Sequence, residues 1–215
     1  MRVLIFGDSI TQGFWDTDGG WVERLRQHYD ALQIADLDGP DQPKIFNLGI
    51  SADNSAGILK RIEAETKART SHNDLPIVII QVGTNDSSSG SLPAEKTVSM
   101  PIDQYQQNLH LIIKKVRPLS SKIILVGSPA CDESRTTPAP WGEFYYTNQA
   151  IKSYEDVMKG IAIELNIPFV PVFAKFQAEL NTGKNLLLDG LHPNNDGHKL
   201  LLDIIKPELL RLLAE

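Results

Sequence analysis

Residues 3–9 read Val-Leu-Ile-Phe-Gly-Asp-Ser, and this stretch indicates the fold class. A short apolar run with β-branched and aromatic residues is typical of a strand that is buried on both faces. The glycine, aspartate and serine that follow are common in turns, and a serine here could also cap a helix. The stretch therefore predicts an interior strand whose carboxyl end leads into a polar turn.

Similar apolar runs recur along the chain, at Lys44–Leu48, Ile77–Val82, Lys122–Val126 and Pro168–Val172. Between them lie longer stretches with apolar residues at helical spacing, at Trp21–Tyr29, Ser55–Ala68, Ile102–Val116, Thr147–Leu165 and Gly197–Leu213. Together with the first run, Val3–Phe6, the pattern alternates buried strands with amphipathic helices. It predicts an α/β fold in which helices cover both faces of a five-stranded parallel sheet of flavodoxin-like order.

Length and composition narrow the classes of protein. A chain of 215 residues suits one domain that spans residues 1–215. The net charge is −6 and there is no basic run, so we expect no nucleic-acid partner. No apolar run approaches membrane-spanning length, so we expect no membrane partner either. Cys131 is the only cysteine, and the first apolar run is too short for the core of a signal peptide, which favours a cytoplasmic location.

Polar residues and glycines follow several of the predicted strands. Gly49 comes after the second strand, Asn85 comes after the third, and Asp189 and His192 precede the last helix. In open parallel sheets the ligand site lies beyond the carboxyl ends of the strands. We therefore expect these residues to meet Ser9 at one edge of the sheet.

These four segments, in this order, resemble the four sequence blocks of the SGNH hydrolases, which are GDSL-like serine esterases and lipases. The residues that give the family its name fall on Ser9, Gly49, Asn85 and His192. The resemblance runs from residue 7 to residue 193. It implies a three-layer α/β/α sandwich and the hydrolysis of acyl esters without a cofactor.

The resemblance also implies roles for these residues. Ser9 would be the nucleophile, His192 its base and Asp189 the carboxylate that orients the histidine, which suits the chemistry of these side chains. The oxyanion hole would consist of the Ser9 N–H, the Gly49 N–H and the Asn85 side-chain amide. No cluster of potential ligands has convincing metal-site spacing, so we expect no metal.

Each residue also has a purely structural interpretation. Ser9 could cap a helix, Gly49 could serve a left-handed turn, and Asn85 and Asp189 could shape turns. Of the five histidines, His192 alone has an aspartate three residues before it and a proline directly after it. The other histidines are His28, His72, His110 and His198. We interpret Asp8 and Asp86 as hydrogen-bond acceptors that shape loops.

Two further segments have open interpretations. The aromatic residues of the stretch 141–146, namely Trp141, Phe144, Tyr145 and Tyr146, could pack under a long loop or could form a wall for the acyl or alcohol group of a substrate. The polar segment Ser87–Pro101 could be a mobile lid or a long surface loop.

Other reaction classes fit less well. The turn after the first strand lacks the glycine fingerprint of dinucleotide enzymes, and the G-K-[ST] motif of ATP-binding enzymes does not occur. An ordinary α/β-hydrolase would need G-x-S-x-G around its serine, but Thr11 stands at the position of the second glycine. Asp36–Gly39 resembles the D-x-D-G motif of magnesium-dependent phosphatases, although no clean buried strand precedes it. A binding module without activity is a further alternative.

Within the hydrolases we favour an esterase for small soluble acyl esters, with an acyl-CoA thioesterase or a carbohydrate O-deacetylase as alternatives on the same site.

Overall fold

A computed structural model describes residues 1–70, 74–92 and 98–214 of the chain. Its sheet is made of the parallel strands β1 Arg2–Gly7, β2 Lys44–Gly49, β3 Ile77–Gln81, β4 Lys122–Val126 and β5 Phe169–Val170. Their order is β2-β1-β3-β4-β5. This confirms the predicted five-stranded parallel sheet of flavodoxin-like order. Strand β5 has only two residues and is shorter than the apolar run Pro168–Val172 that predicted it.

The helices are α1 Ser9–Gln12, α2 Gly20–Ala35, α3 Ser55–Arg69, α4 Ile102–Val116, α5 Glu133–Thr136, α6 Asn148–Glu164, α7 Phe173–Leu180 and α8 Asn195–Ala214. The five predicted helices are confirmed as α2, α3, α4, α6 and α8. The sequence pattern did not predict α1, α5 and α7, because helices of four to eight residues are too short to establish a periodic apolar face. Helix α8 begins at Asn195, two residues before the predicted start, and contains Pro207.

Alternate residues of each inner strand point to opposite faces of the sheet. On one face, Val3 and Ile5 of β1 join a core that includes side chains of α2, α7 and α8. On the other face, Leu4 and Phe6 join a core that includes side chains of α3, α4 and α6. All four of these β1 side chains are fully buried. Because the apolar sides of helices cover both faces of the sheet, the fold is the predicted three-layer α/β/α sandwich.

The register of the sheet brings the strand ends to one level. Gly7 at the end of β1 lies opposite Gly49 of β2 and opposite Gln81 of β3. A Cβ at Gly7 would lie 1.9 Å from Thr11 Oγ1, so the chain can turn directly into α1 only with glycine at this position. The segments that follow β1, β2 and β3 therefore meet at the carboxyl edge of the sheet.

The phosphatase interpretation of Asp36–Gly39 is wrong. Helix α2 ends at Ala35 with Asp36 as its C-cap, and the segment leads into the amino end of β2 instead of following a strand. It therefore lies at the opposite edge of the sheet from Ser9. No helix in the described part of the chain is long and apolar enough to span a membrane.

Candidate active site

Ser9 is the first residue of α1, directly beyond the end of β1. Asp8 caps this helix, because its Oδ1 accepts a hydrogen bond of 2.9 Å from the Ile10 N–H. The structural interpretation of Ser9 as the cap is therefore wrong, and its hydroxyl is free to face the site. Burial raises the pKa of Asp8 to about 6. The carboxyl shapes the turn, as expected from the sequence.

Ser9, His192 and Asp189 form a continuous series of hydrogen bonds. Ser9 Oγ lies 3.0 Å from His192 Nε2, and His192 Nδ1 lies 2.7 Å from Asp189 Oδ2. Ser9 and His192 are separated by 183 positions in the sequence, so the fold alone brings them together.

The carboxylate of Asp189 is held by its own turn. Its Oδ1 accepts hydrogen bonds from the N–H groups of Leu191 at 3.0 Å and His192 at 2.8 Å. Burial raises the pKa of Asp189, but the hydrogen bonds from the side chain and backbone of His192 outweigh it, and the pKa falls to about 2. The carboxylate is therefore ionised at neutral pH. It favours the proton on His192 Nδ1 and leaves the lone pair of Nε2 facing Ser9.

Arg135 and Gly190 support the turn that carries Asp189 and His192. The guanidinium of Arg135 donates to the carbonyl oxygens of Leu187 and Leu188. Gly190 has a φ of 97°, and a Cβ there would lie 2.6 Å from the Arg135 Cβ. Glycine is therefore required where the turn packs against α5.

Asn85 lies in the loop after β3, and the structure fixes the orientation of its amide. Its Oδ1 accepts a hydrogen bond of 3.2 Å from the Tyr146 hydroxyl, and its Nδ2 donates to the Asp53 carbonyl at 2.8 Å. Because the amide nitrogen carries two hydrogens, the second one is left for the cavity that Asn85 lines.

Gly49 does not supply the N–H that the resemblance implied. Its N–H already donates to Asn47 Oδ1 at 3.0 Å, and Gly49 is not among the residues that line the cavity. The glycine has a packing role instead, since a Cβ would lie 2.3 Å from the backbone nitrogen of Gln12. The expected oxyanion role of Gly49 is therefore corrected.

Ala52 lies three residues after Gly49, in the loop between β2 and α3. It lines the cavity and has a φ of 63°, a left-handed conformation that is uncommon for alanine. Among the described residues its N–H has no hydrogen-bond acceptor. No pattern in the sequence indicates this residue, because alanine does not predict left-handed backbone.

The cavity above Ser9 has a volume of about 450 Å³. Ser9, His192, Asn85 and Ala52 line one part of it, and aromatic side chains form its walls: Phe14, Trp15, Trp141, Phe144 and Tyr146. Of the four aromatic residues singled out in the stretch 141–146, three therefore line the cavity and Tyr145 does not. The segment Ser87–Pro101 includes residues 93–97, which lie outside the described residues; Ser88 and Ser99, at its described ends, also line the cavity.

Phe14 and Trp15 were not predicted from the sequence. The Trp15 backbone N–H donates to the Pro193 carbonyl at 3.0 Å, and its indole Nε1 donates to Asp189 Oδ2 at 3.3 Å. These bonds connect the segment after α1 to the turn that carries His192.

The side chain of His198 holds the segment after α1 in place. Its Nδ1 accepts from the Trp21 N–H at 3.2 Å, and its Nε2 lies 3.0 Å from the Phe14 carbonyl, to which it donates. Burial lowers the pKa of His198, which favours the neutral ring that this pair of bonds requires. Of the remaining histidines, His28 and His110 lie on α2 and α4 away from the cavity, and His72 lies outside the described residues.

Asp86 ties the loop after β3 to the start of α3. Its carboxylate accepts from the backbone N–H and the hydroxyl of Ser55. Burial raises the pKa of Asp86 to about 6. Both contacts confirm that Asp86 shapes the loop. Within residues 1–70, 74–92 and 98–214, no group of three or more His, Cys, Asp and Glu side chains is placed to hold a metal ion.

A serine, a histidine and an aspartate in hydrogen-bonded series at the carboxyl edge of a parallel sheet are the arrangement found in serine hydrolases. The model of the GDSL-like lipase/acylhydrolase family matches residues 5–200, and the chain belongs to this family. It is therefore a carboxylic ester hydrolase.

Curated relatives agree with this assignment, and a solved structure shares the fold. The chain is 24% identical to the isoamyl acetate-hydrolyzing esterase of Saccharomyces cerevisiae, over 99% of this chain and 84% of the yeast protein. It is 28% identical to an acetylxylan esterase of Geobacillus stearothermophilus, over 93% of this chain and 90% of that protein. The fold is shared with a lipase/acylhydrolase from Enterococcus faecalis, with a TM-score of 0.73 at 24% identity, over 97% and 94% of the two chains.

Proposed function

We propose that this esterase hydrolyses small acyl esters through an acyl-enzyme on Ser9, with His192 as the general base and Asp189 as the carboxylate that orients it. The observation that carries the proposal is the hydrogen-bonded series from Ser9 Oγ through His192 to Asp189. A serine hydroxyl is a weak nucleophile until a base accepts its proton, and His192 Nε2 is at hydrogen-bonding distance from it.

The reaction then has two halves. In the first, Ser9 Oγ attacks the ester carbonyl while its proton passes to His192 Nε2, and the carbonyl electron pair moves to the oxygen. The tetrahedral intermediate collapses, the bond to the alcohol oxygen breaks, and His192 gives its proton to that oxygen. In the second half, water loses a proton to His192, attacks the acyl-enzyme and releases the acid, and the proton returns to Ser9.

The charge that develops on the carbonyl oxygen needs preorganised donors. We assign these donors to the Ser9 N–H, the free Nδ2 hydrogen of Asn85 and the Ala52 N–H, which replaces Gly49 in this role. The orientation of the Asn85 amide and the unpaired Ala52 N–H in the cavity wall support the assignment.

The proposed acyl group is small. The curated relatives include an isoamyl acetate-hydrolyzing esterase and an acetylxylan esterase, and both names describe acetate esters. The two relatives differ in the alcohol that they release. We therefore propose acetyl esters as the first substrates to assay. A cytoplasmic location stays a prediction, which rests on the lone cysteine, Cys131.

A fluorophosphonate probe, which labels activated serines, tests the nucleophile. We expect labelling of the wild type at Ser9 in a peptide map and none in Ser9→Ala. Ser153→Ala is the matched control, because Ser153 lies on α6 with its hydroxyl bonded to the Gln149 carbonyl. This control should be labelled like the wild type. Labelling at a different serine would contradict the proposal.

A further inference from the structure

The exposed aromatic side chains of this protein are gathered at one place. Among the described residues, the exposed aromatic side chains are Trp15, Trp141 and Phe144, with exposed fractions of 51%, 43% and 47%. All three line the cavity above Ser9, and we call them the aromatic rim. Large apolar faces that remain exposed in one cluster are typical of a binding surface.

The rim lies beside His192. The ring centroid of Trp141 is 5.3 Å from that of His192, and the centroid of Trp15 is 6.4 Å from it. In the proposed reaction His192 gives its proton to the oxygen of the leaving alcohol, so the alcohol must sit next to this ring. The rim is therefore placed to contact the alcohol half of the ester, whereas Asn85 and Ala52 face the carbonyl oxygen.

The charges around the cavity limit the class of alcohol. No lysine or arginine is found among its described lining residues, which do include the carboxylate of Asp189. The chain as a whole carries a net charge of −6. An alcohol or thiol that bears phosphate groups, such as coenzyme A or a lysophospholipid, would find no counter-charge on the described part of these walls. The leaving group that fits these described residues is neutral.

The rim also differs from a channel for an alkyl chain. An alkyl group gains most from an enclosed apolar site, and rings that are about half exposed would leave much of such a chain in water. A pyranose ring has apolar C–H faces that can stack on an indole, with hydroxyl groups at its edge. For these hydroxyls the remaining lining offers the Ser51 hydroxyl, the Asn54 amide nitrogen and the acceptor lone pairs of Ser88 and Ser99, whose hydroxyls already bond to each other.

We propose that the aromatic rim is the leaving-group subsite of this esterase and that it binds the pyranose ring of an acetylated sugar. The inference rests on the proposed function, because the position of the alcohol follows from the role of His192. The acyl group remains the small one proposed above.

The test compares four acetyl donors at the same pH: glucose pentaacetate, hexyl acetate, acetyl-CoA and ethyl acetate. We expect the wild type to have its highest kcat/KM for glucose pentaacetate, at least about tenfold above hexyl acetate, with acetyl-CoA lower still. Trp141→Ala should lower kcat/KM for glucose pentaacetate at least about tenfold more than for ethyl acetate, whose alcohol is too short to cover the rim. Trp141→Phe should restore part of the loss, since it restores an aromatic face.

Ile163→Ala is the matched control, because Ile163 is an exposed apolar side chain on α6 outside the cavity, with an exposed fraction of 73%. It should leave the ratios between the donors unchanged. A higher kcat/KM for hexyl acetate or acetyl-CoA than for the sugar would overturn the inference. An equal loss on all donors in Trp141→Ala would also overturn it, because it would indicate a structural role.

Ser9→Ala, assayed on ethyl acetate, separates the two proposals. If the variant is inactive on ethyl acetate while the wild type shows no preference for the sugar, the proposed function stands and the subsite assignment fails. If Ser9→Ala keeps its activity on ethyl acetate, the proposed function fails, and the subsite assignment that rests on it fails too.

Discussion

The hydroxyl of Tyr146 donates a hydrogen bond of 3.2 Å to Asn85 Oδ1 and thereby fixes which end of that amide faces the cavity. Burial raises the pKa of Tyr146 to about 12, so its phenol stays protonated and remains a donor throughout the working range of pH. With Oδ1 occupied by the phenol and one Nδ2 hydrogen on the Asp53 carbonyl, the other hydrogen is left for the cavity, where the proposed reaction needs a donor to the carbonyl oxygen.

The first prediction concerns this amide. Asn85→Ala should lower kcat by about 10²–10³-fold with KM nearly constant, because the bond to the oxygen strengthens only as charge develops on it. Tyr146→Phe should cause a smaller loss, of up to about tenfold in kcat, since the amide is still held by Asp53. Steady-state kinetics on one acetyl ester measure both variants. A raised KM with normal kcat in Asn85→Ala would show that Asn85 only binds substrate.

The second prediction concerns Asp189. Asp189→Asn should lower kcat by about 10³–10⁴-fold, because an amide favours the wrong tautomer of His192. Steady-state kinetics on the same acetyl ester measure the loss. Ser153→Ala serves as the control and should keep the wild-type rate, because Ser153 lies on α6 with its hydroxyl bonded to the Gln149 carbonyl. A wild-type rate in Asp189→Asn would mean that another group orients His192.

The third prediction separates Ala52 from Gly49. Ala52 has a φ of 63°, a backbone conformation that favours glycine. Ala52→Gly should therefore keep activity and should not lower the free energy of unfolding. The variant should relieve backbone strain of up to about 1 kcal/mol. Gly49→Ala should destabilise the fold, because its Cβ would lie 2.3 Å from the Gln12 nitrogen. Urea unfolding of both variants measures the difference. Equal stability of Gly49→Ala and the wild type would show that the fold accommodates a methyl group at residue 49.

The fourth prediction concerns Glu155 on α6. Its Oε2 accepts from the Phe173 N–H at the start of α7, and burial raises its pKa from the usual 4.5 to about 7. Because the folded-state pKa is raised, this carboxyl makes the wild type less stable as pH increases from about 4.5 to 7, with no further change above that range.

Glu155→Gln removes this titration. The free energy of unfolding of the variant, relative to the wild type, should therefore increase between pH 4.5 and 7.5, by on the order of 2 kcal/mol. Urea unfolding at several pH values measures the difference. A constant difference across this range would show that Glu155 does not have a raised pKa in the folded protein.

Much of the fold could be predicted from the sequence because a parallel sheet has a strong local signature. Buried strands appear as short apolar runs. Because ligands lie at the carboxyl ends of such strands, the pattern predicted a site that includes Ser9 and Asn85. The shortest helices were missed, since one or two turns carry no clear apolar period.

The remaining site residues depend on contacts that no local pattern records. The loop around Ala52 holds its backbone in the left-handed conformation. The residue type alanine does not predict that conformation. His198 supports the Phe14 carbonyl from 184 positions away, and only the packing of α8 against the segment after α1 creates that bond. The Trp15 indole likewise reaches Asp189 across 174 positions.

Trapping the acyl-enzyme tests directly whether Ser9 is the nucleophile. The wild type is mixed with an acetyl ester, quenched with acid before steady state and digested, and the peptides are analysed by mass spectrometry. We predict one acetyl group on Ser9, with a greater yield in Asp189→Asn if the variant slows the second half of the reaction more than the first. An acetyl group on a different residue, in an enzyme that turns over the same ester, would contradict the assignment of Ser9 as the nucleophile.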